Sequence, residues 1–188
     1  MESRATITPR AFPRRRLPWV LGLLGGVAVA AIVVFLLSRG GDESTQAHGP
    51  AAAPFTVTLP SGWESLSQQQ LVALPGHPLA VLRQTDGNGI VVIHVESRTS
   101  AGLSQLSNQL EARLSQTIPD FKLVNSRTVK VPAGRALSIS YARTQQGTAN
   151  TLLVVPTSRG LYNLNAVVPA GQQNAARDAA SILSSFDL

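Results

Sequence analysis

The chain has 188 residues, a formal net charge of +6 and no cysteine. The lack of cysteine excludes a disulfide framework, a thiolate zinc site, a cysteine nucleophile and a lipid-modified cysteine. Residues 1–17 hold five arginines against one acid, whereas residues 55–188 hold ten basic and seven acidic side chains, a balance of +3. The basicity is therefore mostly N-terminal. Because the remaining charges look scattered, we expect no binding to nucleic acid, which requires a clustered basic face.

The N-terminal segment predicts a membrane anchor. Residues 19–37, WVLGLLGGVAVAAIVVFLL, contain no charged side chain. As a helix they would be roughly 28 Å long at about 1.5 Å per residue, which matches the roughly 30 Å hydrocarbon core of a bilayer. We therefore predict one transmembrane helix over residues 19–37, in contact with the lipid bilayer.

The flanks of this span predict its orientation. An Arg-Arg-Arg run at 14–16 precedes it, whereas one arginine and two acids follow it within 38–44. Because the more basic flank stays inside, residues 1–18 are predicted to be a cytoplasmic tail and the C-terminal domain to be extracytoplasmic. The alternative is a cleavable signal peptide that releases a secreted binding protein. The apolar run exceeds the usual 7 to 15 residues of such peptides, so a retained anchor in the cell membrane is favoured.

Within the span, Gly22, Gly26 and Ala30 lie at four-residue spacing and share one helical stripe. Small residues at this spacing let two membrane helices pack closely. Glycine and alanine are also common in membrane helices that make no such contact. The stripe is therefore a candidate helix–helix contact for a weak homodimer and nothing more.

Residues 38–54, SRGGDESTQAHGPAAAP, show no apolar periodicity. They are rich in Gly, Pro, Ala and charged residues, which predicts a flexible linker with His48 as a solvated member. Seventeen residues of flexible coil would have a root-mean-square span of about 20 to 25 Å. The linker would keep the following domain just above the lipid headgroups.

Residues 55–188 are predicted to form one extracytoplasmic domain. Phe55, Val57 and Leu59 alternate with threonines, which indicates a first strand that ends at Pro60. Trp63 follows and is predicted to be a buried core residue. Two further strands over 79–84 and 89–98 flank a Thr-Asp-Gly-Asn turn, and both faces of the second are apolar near its start. This indicates an antiparallel hairpin in a sheet that is covered on both sides.

The second half of the domain predicts a helix, several strands and a closing helix. Leucines at 103, 106, 110 and 114 have helical spacing, with Ser100 as the expected N-cap and Pro119 as the stop. Three or four strands are predicted over 121–131, 135–144, 151–157 and 161–168. Their short connections imply antiparallel neighbours. A last helix over 172–185 would turn Ala176, Ala179, Ala180 and Leu183 to the core, with Phe186 closing it.

Three segments of this domain resemble the Mog/PsbP-like domains, a family that includes LpqN-like extracytoplasmic proteins of actinobacteria. They are the Phe-x-Val-x-Leu-Pro-x-Gly-Trp segment at 55–63, GRALSISY at 134–141 and ILSSF at 182–186. The resemblance covers residues 55–188. It implies an α/β fold of the α+β type, in which a curved antiparallel sheet of about six or seven strands is sandwiched between helices. Family members bind unlike partners, among them a small GTPase and a photosystem, so the resemblance implies no catalytic residues.

No catalytic or metal-binding signature is present: the chain has no G-x-S-x-G, no phosphate-binding loop and no H-E-x-x-H. A metal site would require His77, His94 and Glu96 to converge, and we expect ordinary histidines instead. We therefore predict no enzyme activity, cofactor or metal ion. The expected function is a membrane-anchored extracytoplasmic binding module for an envelope protein or a small ligand that the sequence does not identify. The alternative is a hydrolase-like envelope enzyme, which converging ionisable groups with shifted pKa values would favour.

Overall fold

A computed structural model of the protein describes residues 45–188. The predicted cytoplasmic tail, the predicted span with Gly22, Gly26 and Ala30, and the first part of the predicted linker lie outside the described residues. Within residues 45–188, no helix is long and apolar enough to cross a membrane.

The described chain contains nine strands and three helices. In order, they are β1 (Gln46–His48), β2 (Thr56–Thr58), β3 (Trp63–Ser65), α1 (Gln68–Val72), β4 (Ala80–Gln84), β5 (Ile90–Glu96), α2 (Leu103–Thr117), β6 (Phe121–Val131), β7 (Gly134–Arg143), β8 (Thr148–Pro156), β9 (Leu161–Pro169) and α3 (Gln173–Ser184). The predicted hairpin, the leucine-spaced helix and the later strands are all confirmed, with ends that shift by up to three residues.

Seven strands form one antiparallel sheet in the order β3-β4-β5-β9-β8-β7-β6. The chain leaves the middle of the sheet after β5, passes through α2 and re-enters at the far edge as β6. Successive hairpins then bring β9 back beside β5. This topology confirms the predicted antiparallel α+β architecture and makes β5 and β9 the central strands.

One face of the sheet, called here the α3 face, is covered by α3 and by the two-stranded sheet of β1 and β2. Its core includes three aromatic rings: Phe55 stacks on Phe186 at a centroid distance of 5.8 Å, and Tyr162 lies 5.4 Å from Phe186. All three side chains are at most 2% exposed. Phe186 therefore closes the core as predicted.

The opposite face, called the α2 face, carries two separate apolar clusters. In the first, Leu106, Leu110 and Leu114 of α2 pack on residues of β7 and β8. In the second, Leu66, Leu71 and Leu74, in and around α1, pack on β4 and β5. The two clusters meet the central strands from either side: Val92 of β5 belongs to the second cluster and Leu161 of β9 to the first.

The predicted linker is wrong over its described part. Residues 46–48 form β1, which pairs with β2, and Leu59 donates a backbone hydrogen bond to Thr45 at 2.9 Å. Ala47 and Ala53 are 4% and 7% exposed. Their side chains are too small to produce a recognisable apolar period, yet they fit beside Phe55, and β1 satisfies the backbone groups that β2 would otherwise leave unpaired.

Two details of the helices also differ from prediction. Helix α2 is capped by Gly102 and not by Ser100, because the Thr99 hydroxyl accepts the Ala101 N–H and turns the chain before the helix begins. In α3 the buried residues are Ala175, Ala179, Ile182 and Leu183, so the predicted positions Ala176 and Ala180 are exposed. The helix is rotated toward its isoleucine, which buries more apolar area than a second alanine would.

A candidate ligand site on the central strands

The most unusual chemistry in the described chain lies on the α2 face of the two central strands. Side chains alternate between the faces of a strand, so His94 of β5 and both asparagines of the β9 segment Leu-Tyr-Asn-Leu-Asn point to this face. His94 lies directly opposite Asn163, and Asn165 lies directly opposite Val92. His94, Asn163 and Asn165 are called here the polar strip.

Each member of the polar strip has a buried polar atom that has no hydrogen-bond partner within residues 45–188. These atoms are His94 Nε2, Asn163 Nδ2 and Asn165 Oδ1. Asn163 is only 6% exposed. An unpaired buried donor or acceptor costs about 1 to 3 kcal/mol, and buried polar groups are normally paired. Three such atoms thus lie on one face of two neighbouring strands, and each would be stabilised by a hydrogen-bond partner.

Asn150, another asparagine on the same face, shows the usual arrangement. It is 5% exposed, and its Nδ2 donates to Thr148 Oγ1 at 3.1 Å. It lies on β8, next to β9. One strand away from the polar strip, a buried asparagine on the same face therefore has its amide nitrogen paired.

Two ionisable groups on this face of β5 have shifted pKa values. Burial lowers the pKa of the His94 imidazole below its usual 6.5. Burial raises the pKa of the Glu96 carboxyl above 4.5, against the opposing attraction of the Arg113 guanidinium on α2. His94 is therefore neutral at pH 7 and can donate from one ring nitrogen and accept at the other. The polar strip presents uncharged donors and acceptors.

The three residues that a metal site would have required, His77, His94 and Glu96, do not form a three-ligand site. His77 is exposed in the loop before β4, with a φ of 46°, whereas His94 and Glu96 share a strand face. Among residues 45–188, no group of three His, Asp or Glu side chains could hold a metal ion. The sequence prediction also missed Asn163 and Asn165. Strands disfavour asparagine, so two asparagines at alternating positions of an otherwise apolar strand were the signal that could have indicated this site.

Trp63 is confirmed as a core residue and takes no part in the polar strip. It is 3% exposed and belongs to the cluster of the α3 face. Its ring packs over Gly89, where a Cβ atom would lie 3.0 Å from the ring carbon Cη2. Its Nε1 and the Oε1 of Gln84, the residue opposite it, are both buried and unpaired. These two atoms lie at the β3 edge, on the other face of the sheet.

No protein-family model matches the sequence, and none of the curated proteins matches it significantly. Several solved structures are similar in fold, among them the following two. The solution structure of PsbP (CyanoP) from the cyanobacterium Synechocystis sp. PCC 6803 has 15% identity and a TM-score of 0.56, covering 81% of this chain and 98% of that chain. The crystal structure of LpqN from Mycobacterium tuberculosis has 14% identity and a TM-score of 0.54, covering 77% of this chain and 90% of that chain.

At this level of identity the likeness concerns the fold alone. Both structures cover most of the described domain and were obtained by experiment. The antiparallel sheet, the helices on its two faces and this likeness agree with the expectation from the three sequence segments. The chain has a PsbP/Mog-like fold.

Proposed function

We propose that this protein is a single-pass, membrane-anchored extracytoplasmic binding module, and that the polar strip is where it holds its ligand. The observation that carries the proposal is the set of unpaired buried atoms His94 Nε2, Asn163 Nδ2 and Asn165 Oδ1. A ligand with hydroxyl or amide groups would satisfy them. A small polar ligand and a polar group of an envelope protein both fit this chemistry.

The arrangement favours binding over a purely structural role. The strip lies between the α1 and α2 clusters, where an apolar pair would join the two clusters into one continuous core. Apolar side chains at these positions would be more stable than unpaired amides. Retaining the amides at a cost in stability is typical of a functional site.

The anchoring part of the proposal rests on residues 19–37, whose length and lack of charge suit a bilayer span. The arginines at 14–16 would keep residues 1–18 in the cytoplasm and place the described domain outside. LpqN, which has a similar fold, is described as involved in cell envelope biogenesis. That description agrees with an envelope location for this chain.

The test is native mass spectrometry of the full chain purified in mild detergent from cells that express it. We expect a bound small molecule on the wild type and on Asn150→Leu, and none on Asn163→Leu. Asn150→Leu is the matched control because it removes a buried amide from the same face. A wild-type protein without any adduct, whose crystal structure showed ordered water on all three atoms, would contradict the proposal.

A second candidate is a hydrolase-like envelope enzyme. It is favoured by the presence of His94 and Glu96 on one strand face with oppositely shifted pKa values, as an acid–base pair would require. No hydroxyl nucleophile is hydrogen-bonded to His94 among the described residues, which makes binding the stronger candidate. Hydrolysis of p-nitrophenyl acetate that disappears in His94→Gln would favour the enzyme.

A further inference from the structure

The hairpin of β6 and β7 concentrates positive charge at one edge of the sheet. Residues 121–143 contain five cations and no carboxylate: Lys122, Arg127, Lys130, Arg135 and Arg143. Arg143 pairs with Asp120 at 3.0 Å. The other four, called here the basic edge, form no ion pair with any described residue. Lys122 and Arg127 lie on the α3 face of this hairpin, whereas Lys130 and Arg135 lie opposite each other on its α2 face. All four side chains are exposed, so the hairpin carries positive charge on both faces of the sheet edge.

The basic edge is accompanied by hydroxyl groups on one face. Arg127 lies directly opposite Ser138, and Asn125 lies directly opposite Ser140. Ser140 in turn lies opposite Thr151, with 3.2 Å between their hydroxyl oxygens. Residues opposite each other in an antiparallel pair share a face, so cation, amide and hydroxyls form one surface of half-buried and exposed side chains. Such a group of donors suits the oxygens of a phosphate.

Exposed apolar side chains lie on the same strand. Leu123 and Val124 are 42% and 68% exposed, and Val124 is the unpaired residue of a β-bulge in β6 that lies between Leu123 and Asn125. They directly follow Lys122. Adjacent cations and exposed apolar side chains are typical of surfaces that lie in the interface of an anionic membrane.

At the other end of β6, Lys130 lies directly opposite Arg135. Like charges in directly opposite positions destabilise a strand pair. The Asp187 carboxylate, near the β6–β7 turn, accepts the Leu188 N–H at 2.9 Å, and the Glu111 carboxylate of α2 accepts the Ser107 hydroxyl at 2.7 Å. Among the described residues, neither carboxylate forms an ion pair with Lys130 or Arg135. A surface rich in negative charge would relieve the repulsion between the two cations.

The end of the hairpin lies beside the point where the chain enters the domain. Ala133, in the β6–β7 turn, donates to the Phe186 carbonyl at 3.2 Å, and the next residue, Asp187, pairs with Thr56. Thr56 pairs with His48 of β1. The β6–β7 turn, the 186–187 segment, β2 and β1 are thus hydrogen-bonded neighbours in that order. Three spacings of about 4.8 Å between neighbouring segments place the turn roughly 15 Å from β1.

The chain that connects this entry point to the predicted span is short. Because β1 is folded, only residues 38–44 remain between the predicted span and the described domain. Seven residues reach at most about 25 Å even when fully extended. On the proposed anchoring, a connection of this length would keep the domain close to the headgroups, with one end of the basic edge near the membrane.

From these observations we propose that the basic edge docks on the anionic lipid surface of the membrane in which the chain is anchored, with Leu123 and Val124 in the interface. The proposal rests on the anchoring given under the proposed function. Cations and a bulge on an edge strand also discourage pairing with other sheets. Protection of the edge strand from such pairing would require neither the hydroxyls of β7 and β8 nor the exposed apolar side chains at the bulge. Nucleic acid would likewise leave Leu123 and Val124 without a contact.

The test uses the full chain, which has no native cysteine. Val124→Cys is labelled with an environment-sensitive fluorophore, and the protein is reconstituted in phosphatidylcholine nanodiscs with or without phosphatidylglycerol. Val72→Cys is the matched control, since Val72 is also an exposed valine, at 74%, and lies on α1 near the opposite edge. We expect a blue shift at position 124 only with phosphatidylglycerol, reversed by about 1 M salt, where the Debye length is about 3 Å.

A triple substitution, Lys122→Gln, Arg127→Gln and Lys130→Gln, should reduce the docked-to-undocked ratio by roughly five-fold per charge removed. These side chains are exposed, so circular dichroism should show an unchanged fold. Equal signals at position 124 in neutral and anionic discs, or the same shift at position 72, would overturn the docking and leave the anchor intact. A shift in neutral discs on addition of a DNA oligonucleotide would overturn it in favour of nucleic acid. A chain that does not enter the discs would refute the anchor, and the docking with it.

Discussion

The two faces of the central strands differ in how completely their side chains are satisfied. On the α3 face, Tyr162 and Leu164 of β9 are fully buried among apolar groups, and the Tyr162 hydroxyl donates to the Pro54 carbonyl at 3.3 Å. On the α2 face, the intervening residues Asn163 and Asn165 are left with unpaired polar atoms. Along β9, the polar group of the α3 face is thus paired, whereas the two asparagines of the α2 face have polar atoms without a partner among the described residues.

On the proposed function, this difference would separate stability from ligand binding along β9. The α3 face unites the first strands and the end of the chain, since Phe55, Trp63 and Phe186 all belong to one cluster. The α2 face is divided into two clusters with the polar strip between them. Substitutions on the α3 face should therefore lower the free energy of unfolding, whereas substitutions in the polar strip should remove binding and leave the fold intact.

The largest expected effect is on the α3 face. Trp63→Ala would leave a large cavity against Gly89 and the neighbouring core, so it should reduce the free energy of unfolding by about 3 to 5 kcal/mol. Urea titration of a fragment spanning residues 45–188 measures this loss. Val72→Ala, at a residue that is 74% exposed, is the control and should change the free energy by less than about 0.5 kcal/mol. A Trp63→Ala fragment as stable as the wild type would show that the α3 face is not the main source of stability.

Most of the fold could be predicted from the sequence because its signals are local. The leucine spacing of α2, the hairpin turn between β4 and β5 and the short loops after β6 each lie within one element or one connection. Strand β1 could not be predicted, since Gln46, Ala47 and His48 carry no alternation and the strand forms only against β2. The folded state of residues 46–48 therefore depends on their pairing with β2 and not on a local sequence pattern.

The candidate site was harder to predict because it depends on strand order. Asn163 and Asn165 are unremarkable polar positions until β9, the last strand, is inserted between β5 and β8. Only this long-range placement buries them opposite His94 and Val92. The basic edge is hidden in the net charge of the whole domain, because acidic residues elsewhere offset its cations. The net charge of residues 122–143 alone, which include five cations and no acid, would have indicated it.

The next expected effect compares two buried asparagines on the α2 face. Asn150→Leu removes the hydrogen bond to Thr148 and should lower the free energy of unfolding by about 0.5 to 1.5 kcal/mol. Asn163→Leu removes an unpaired amide between the two apolar clusters and should be neutral or stabilising. Both changes bury a similar apolar side chain, so the difference between them isolates the state of the amide. A loss in Asn163→Leu as large as in Asn150→Leu would mean that water satisfies the polar strip and that the amide is structural.

The smallest expected effect is the pH dependence that the polar strip gives to folding. Burial lowers the pKa of His94 in the folded state, so between that value and 6.5 the unfolded chain binds more protons than the folded one. Stability should therefore fall as the pH drops below about 6.5, by at most about 1.4 kcal/mol per unit of pKa shift. Glu96 acts in the opposite sense: its raised pKa favours the neutral carboxyl in the fold, and this contribution is lost as the pH rises through that pKa.

The contributions of His94 and Glu96 to the pH dependence can be separated by substitution. Arg113, the cation that acts on Glu96, is left in place. Melting temperatures of the wild type, His94→Gln and Glu96→Gln are compared from pH 7 down to about pH 5, the range in which an ordinary histidine titrates. His94→Gln should flatten the acid loss, because glutamine cannot take up a proton, whereas Glu96→Gln should steepen it by removing the opposing contribution. If His94→Gln keeps the full acid loss, the imidazole is already solvated in the folded protein. The central strands would then have an open polar surface in place of a buried one, and the contrast between the two faces would be one of exposure and not of unpaired atoms.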